Sequence, residues 1–277
     1  MLCIVDKPLS PAEIERQEHA LRSLTGYLAA VQEFLQTHRP AAESLFAQGS
    51  IENGGIWWRE TADFALAASF DHLAAFCTLL RGPLPRQAGH SVLRGSAEAA
   101  AIAWWLFDPT ASEGVRVHRG FEERLYGMHA QRGLIDKAKV LLEAEHRKVV
   151  AEAAKFGLAE VPDSRAKGLT HFGRPRLATQ DILVRVLPEK PPESSLTNGE
   201  ILWRILSAYS HSELWTNFVG MPQLEADSKP PALTVHLPTL LRMCGLTLAV
   251  HDRAFSRRMH LAGHATWEKE RGSLPRL

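Results

Sequence analysis

The chain has 277 residues, a formal net charge of +1, 45% hydrophobic residues and 23% charged ones, a composition that supports a sizeable core in a globular protein. So near-neutral a balance excludes any argument from overall charge toward nucleic acid or membrane and leaves only local patches to speak for such partners. No eighteen consecutive residues are uncharged and apolar, and Asp6 and Lys7 precede any apolar stretch of signal-peptide length, so a cytoplasmic protein with no membrane span is expected.

Arginine outnumbers lysine 23 to 9, which reads as the codon bias of a GC-rich genome. Cys3, Cys77 and Cys244 are odd in number and far apart, the pattern of reduced thiols. Along the chain, Ser10-Pro11-Ala12-Glu13 combines an N-cap serine, a proline at the first helical position and a glutamate three residues after the serine, which predicts a helix start. Ile14, Leu21, Leu24, Leu28, Val31 and Leu35 then keep one apolar stripe to Thr37, and Arg39-Pro40 ends it. A short helix follows around 41–47, and a turn-rich stretch leads to a helix from Trp57 to Leu80 that is apolar except for a stripe through Asp63, Ala67 and Asp71.

Gly82-Pro83-Leu84-Pro85 turns the chain back, and so short a connection makes neighbouring helices antiparallel. The next helix, Ser91 to Phe107, is apolar on almost every side, as a helix buried on all faces would be. Its exceptions are Arg94 and Glu98, four residues apart, which predicts a buried ion pair or a pocket wall. Asp71 is placed to meet Arg94. Asp108-Pro109 stops this helix, and a further one from about Ser112 carries Arg116 and Arg119 as candidates to face Glu98. A Lys-, Glu- and Ala-rich helix from Leu134 to Phe156 closes at Gly157.

Loops are predicted near 157–178, 188–197 and 222–237, the first including a stretch, 164–180, with five basic residues and no acidic one. Between loops, 179–187 reads as helix rather than strand. Asn198 to Val219 forms a helix with Arg204, Ser207, His211 and Trp215 converging on one face. Pro238 opens the last long helix, whose second half stacks Arg253, Arg257, His260 and His264. Arg253, Arg257 and Arg258 together with 164–180 are expected to form a local basic surface.

No metal and no cofactor is expected. His260 and His264 have zinc-ligand spacing but lack the glutamate of the metalloprotease pattern, and Glu143 with His146 is half of a di-iron motif whose second copy is missing. No Gly-rich phosphate loop, Gly-x-Ser-x-Gly elbow or Cys-x-x-Cys is present.

Leu206-Ser207, His211 and Leu214-Trp215, and more loosely the helix of Arg94 with the following Arg116 and Arg119, resemble segments of uncharacterised bacterial all-helical proteins, which implies an all-helical fold and no mechanism. In spacing, Arg204 and His211 resemble the Arg-to-His motif of HEPN-type ribonucleases. That resemblance implies metal-independent RNA cleavage with His211 as general base on the ribose 2′-hydroxyl and Arg204 steadying the phosphorane charge.

The expected fold is all-α, an irregular helical bundle around a buried antiparallel helix hairpin, organised as one domain over 1–277. The leading functional expectation is a protein binding an anionic small molecule or phosphate group in a pocket of Asp71, Arg94, Glu98, Arg116, Arg119, Arg204, Ser207 and His211, because surplus arginine in a dry site attracts anions. The alternatives are an RNA-cleaving enzyme using Arg204 and His211, and an interaction protein whose buried charges are only structural. A second copy of the chain, forming a homodimer, is a further candidate partner.

Overall fold

The computed structural model describes residues 9–48, 55–82, 88–131, 136–163, 169–174, 176–210, 237–264 and 266–271. Helix α1 (Pro11–Thr37) starts where the capping pattern predicts: the Ser10 backbone N–H donates to Glu13 Oε2 at 2.9 Å, and the Glu13 N–H donates back to Ser10 Oγ at 3.4 Å. After a single turn, α2 (Leu45–Gln48), come α3 (Gly55–Leu79) and α4 (Ala88–Leu106), the pair at the centre of the fold. They run antiparallel, since Gly89 lies under the Phe76 ring, Ser69 and Ser96 hydroxyls meet at 2.9 Å, and Trp58 packs edge-on against Phe107 beyond the far end of α4. Ser96 Oγ also reaches the Ser69 carbonyl at 3.0 Å, so two hydroxyls buried in the hairpin satisfy one another.

Helix α4 packs against α3, α7 (Thr179–Val186), α8 (Asn198–Ser210) and α9 (Leu237–Leu261). Its alanines explain how it serves so many neighbours: Ala97, Ala100, Ala101 and Ala103 are all buried and let the surrounding helices come close. On the other side of α3 lies α5 (Glu113–Gln131). The crossing is made at Gly120, where a Cβ would stand 2.7 Å from the Trp58 Cα. Helix α6 (Asp136–Lys155) packs on α5 and ends as predicted, at Gly157 with φ +72°. The two-residue strands β1 (Val161–Pro162) and β2 (Thr170–His171) pair antiparallel, with Val161 opposite His171. A last turn, α10 (Trp267–Glu270), folds back onto α9.

The class is therefore all-α, and the ambiguous 179–187 stretch is helical. One cluster of buried apolar side chains extends from α1 through the hairpin to α9 and α10. Among the described residues no helix is long and apolar enough to cross a membrane. Cys77 and Cys244 are buried free thiols; Cys3 lies outside the described residues.

Candidate functional site

The charged residues singled out in the sequence do not converge. Arg94 and Glu98 pair with each other at 2.7 Å, with side chains 22% and 33% exposed, and Arg94 stacks on Trp203 of α8 at 5.1 Å. The pair is thus half-buried, where burial on all faces was expected. The reason is that α4 is enclosed by helices along its alanine faces but meets only the rim of α8 at Arg94. Asp71 is exposed on α3.

Arg116 and Arg119 find Asp108, and Glu113 beside it, where Glu98 was expected. Arg116 is 2% exposed, donates to Glu113 Oε2 at 2.8 Å and to the carbonyls of Asp108 and Ala111, and stacks on Trp58. Arg119 donates to the Trp105 carbonyl at 2.6 Å and to Asp108 Oδ2 at 3.2 Å. Arg257 of α9 joins them: it donates to the Trp104 carbonyl at 2.8 Å and lies 3.5 Å over the Trp104 ring. Two guanidiniums here occupy carbonyls at the C-terminal end of α4, which carries partial negative charge. Burial works to raise the Asp108 carboxyl, yet Thr110, Arg257 and Arg119 together hold it below the usual carboxylate range. Burial lowers Arg257 to about 10. This is a helix-end clasp in which three guanidiniums share two carboxylates and the carbonyls at the end of α4.

The expected basic surface also divides. Arg253 pairs with Glu189 at 2.7 Å, Arg257 turns to Trp104 and Arg258 pairs with Asp63 at 2.6 Å, while Arg176 is held by Glu123. Residues 164–168 and 175 lie outside the described residues. On α8, Arg204 is exposed and Ser207 half-buried; His211 lies outside the described residues. His264 is bound to the Arg39 carbonyl at 2.6 Å. Among the described residues no three His, Cys, Asp or Glu side chains are grouped to hold a metal ion.

A second set of perturbed groups ties the β2 region to α5. The Phe172 N–H donates to Glu122, and His118 Nε2 meets the Phe172 carbonyl at 2.6 Å. Burial, helped by the charges of Asp163 and Glu123, raises Glu122 to about 7 despite the Phe172 bond, and burial lowers His118. These groups hold a chain segment.

The geometry of a binding site appears elsewhere, between α1, α3 and α9. A cleft of about 530 Å³ is walled by Val31 and Leu35 of α1, by Leu66, Ala67 and Phe70 of α3, and by Phe255 of α9. Its polar groups are Gln32, Gln36, Asp63, His251 and Arg258, a predominantly apolar lining with few polar anchors, as ligand pockets have. His251, Phe255 and Arg258 stand at i, i+4 and i+7 on α9, so one face of one helix contributes an imidazole, an aromatic ring and a guanidinium to the lining.

His251 is wholly buried, and its Nδ1 lies 2.9 Å from the Tyr27 hydroxyl. Near Tyr27 lies Asp252, which accepts from Trp267 Nε1 at 3.2 Å and pairs with Arg271 at 3.2 Å. Nε2 of His251 is buried and has no hydrogen-bond partner among the described residues. Burial pushes His251 down to about 3, and burial with the Asp252 charge pushes Tyr27 well up, so both are neutral near pH 7.

Arg258 is engaged on one side only. Its Nε donates to Asp63 Oδ1 at 2.6 Å and its guanidinium stacks on Phe46 at 4.9 Å, while its two terminal nitrogens donate to no described residue. Of the described residues predicted for the pocket, Asp71, Arg94, Glu98, Arg116, Arg119, Arg204 and Ser207, none lines this cleft, whereas Arg258, expected on a basic surface, does. The signal that could have found it is the His251, Phe255, Arg258 stripe, which runs beside the more conspicuous stripe of Arg253, Arg257, His260 and His264. The chain matches no protein-family model, no curated protein and no solved structure.

Proposed function

We propose that the protein binds a small amphipathic anion, with the apolar body in the cleft between α1, α3 and α9 and the anionic group on Arg258. The observation that carries this reading is a guanidinium whose two terminal nitrogens donate to no described residue, on the wall of an apolar cleft. A fork of N–H donors is the group that recognises carboxylate or phosphate. Phe46 and Asp63 fix its plane, and the Asp63 side chain is 38% exposed against 16% for Arg258, so solvent screens the acid more than the base. The anionic class expected of the Arg-rich candidate pocket is retained, while the residues that carry it change. Binding is favoured over catalysis because a histidine lowered to about 3 is too weak a base to take a proton at neutral pH.

Calorimetric titration with phenylpropanoate tests the reading. The wild-type chain is expected to bind it, Arg258→Met to weaken it about tenfold or more, as for a lost charge-assisted bond, and Asp63→Asn to tighten it. An Arg258→Met variant that binds phenylpropanoate as well as the parent overturns the reading.

A further inference from the structure

Resting on that reading, we infer that the cleft selects a head group with a single negative charge, a carboxylate or a sulfate ester, over a doubly charged phosphate monoester. Asp63 is the residue that sets this limit. Three observations point there. Arg258 is the only cation among the described residues that line the cleft: Gln32 and Gln36 of α1 are uncharged, and His251 of α9 is held neutral by burial. Arg59, which shares the Phe46 ring with Arg258, donates to the Phe46 carbonyl and does not line the cleft. Asp63 of α3 stands 2.6 Å from Arg258 Nε, so the two formal charges of the lining cancel before any ligand arrives. Finally, the remaining wall, with Val31, Leu35, Leu66, Phe70 and Phe255, is apolar and offers no further positive charge.

A first negative charge on the terminal nitrogens of Arg258 has the guanidinium in contact and the Asp63 carboxylate behind it, and the nearer cation prevails. A second charge on the same head reverses the balance. Attraction to Arg258 at most about doubles, while the cost of taking charge out of water grows with its square, about fourfold. Asp63 repels both charges. Shape plays no part, because the guanidinium fork meets the oxygens of a planar carboxylate and of a tetrahedral oxyanion alike. Arg258 therefore selects for the sign of the charge and Asp63 for its size.

Two probes of one shape separate these terms on the full chain. One is 2-phenylethyl sulfate, with one negative charge; the other is 2-phenylethyl phosphate, which carries two at about pH 8 because its second ionisation lies near 6. Calorimetric titration at that pH is expected to show the sulfate ester binding about tenfold tighter than the phosphate ester. Asp63→Asn is expected to tighten the phosphate ester more than the sulfate ester and to narrow the gap to about threefold or less. A phosphate ester that binds the wild-type chain as tightly as the sulfate ester overturns the inference and leaves the anion reading standing. So do two esters that both fail where phenylpropanoate binds. A gap unchanged in Asp63→Asn overturns the assignment to Asp63, and binding of none of the three compounds overturns both readings. Should Asp63→Asn fail to fold, titration of the wild-type chain at about pH 5 decides, since the phosphate ester there gives up its second charge. Its affinity is expected to approach that of the sulfate ester measured beside it; a gap as wide as at pH 8 contradicts the inference.

Discussion

Glu122 is 3% exposed and touches the backbone of Phe172, and its carboxyl titrates near 7 where 4.5 is ordinary. The folded chain thus keeps a proton that the unfolded chain releases at lower pH. The resulting stabilisation is fully present below pH 4.5 and is lost as pH rises through about 7. Glu122→Gln stays neutral and can still accept from the Phe172 N–H, so its melting temperature should exceed the parent's at about pH 8 and match it near pH 5. Equal increments at the two pH values in a thermal scan would refute this. His251 runs the other way: lowered from 6.5 to about 3, it contributes stability present above pH 6.5 and lost as pH falls toward 3. Neither residue stood out in the sequence. A helical stripe does not say which of two adjacent faces looks inward when both are partly apolar.

Among the elements, the helices were legible because their caps and periodicity are local properties of a dozen residues. Ser10 with Glu13 marks the start of α1 and Gly157 the stop after α6 in sequence and structure alike. The antiparallel hairpin of α3 and α4 was also legible, since a short connection leaves few other arrangements. What the periodicity could not fix was the rotation of an all-round apolar helix about its own axis. Helix α4 turns Arg94 and Glu98 to a half-open rim, so breaking that pair uncovers no fully buried charge. Glu98→Ala is accordingly expected to cost under about 1 kcal/mol, where a sealed pair would cost about 3 to 5 kcal/mol. Denaturant unfolding that shows a loss in the larger range would return the pair to the core.

For the whole molecule, the cleft draws on α1, α3 and α9, helices separated by most of the chain, so no local pattern announces it. Asp63 and Arg258 are 195 residues apart, Tyr27 and His251 224. The Arg204 and His211 pair, by contrast, was visible because it is local. In the structure Arg204 is an exposed residue whose charge helps lower Glu200 on the same helix. With the ligand site in the cleft, His211→Ala should leave phenylpropanoate binding unchanged, and the purified parent should not cut RNA in the presence of EDTA. Cleavage by the parent that disappears in His211→Ala would move the function to α8 and to the ribonuclease class.

The contact between Tyr27 and His251 also sets a clock. A ribosome adds about 5 to 20 residues per second, so the 224 residues between them take about 11 to 45 s to appear. For that time α1 carries Tyr27 and Phe34 without the α9 and α10 side chains, His251, Phe255 and Trp267, that pack on them. Helix α1 is therefore made well before the helices that cover it. The cleft between α1, α3 and α9 is complete only after α9 has been made, so its last wall is also the last to be synthesised.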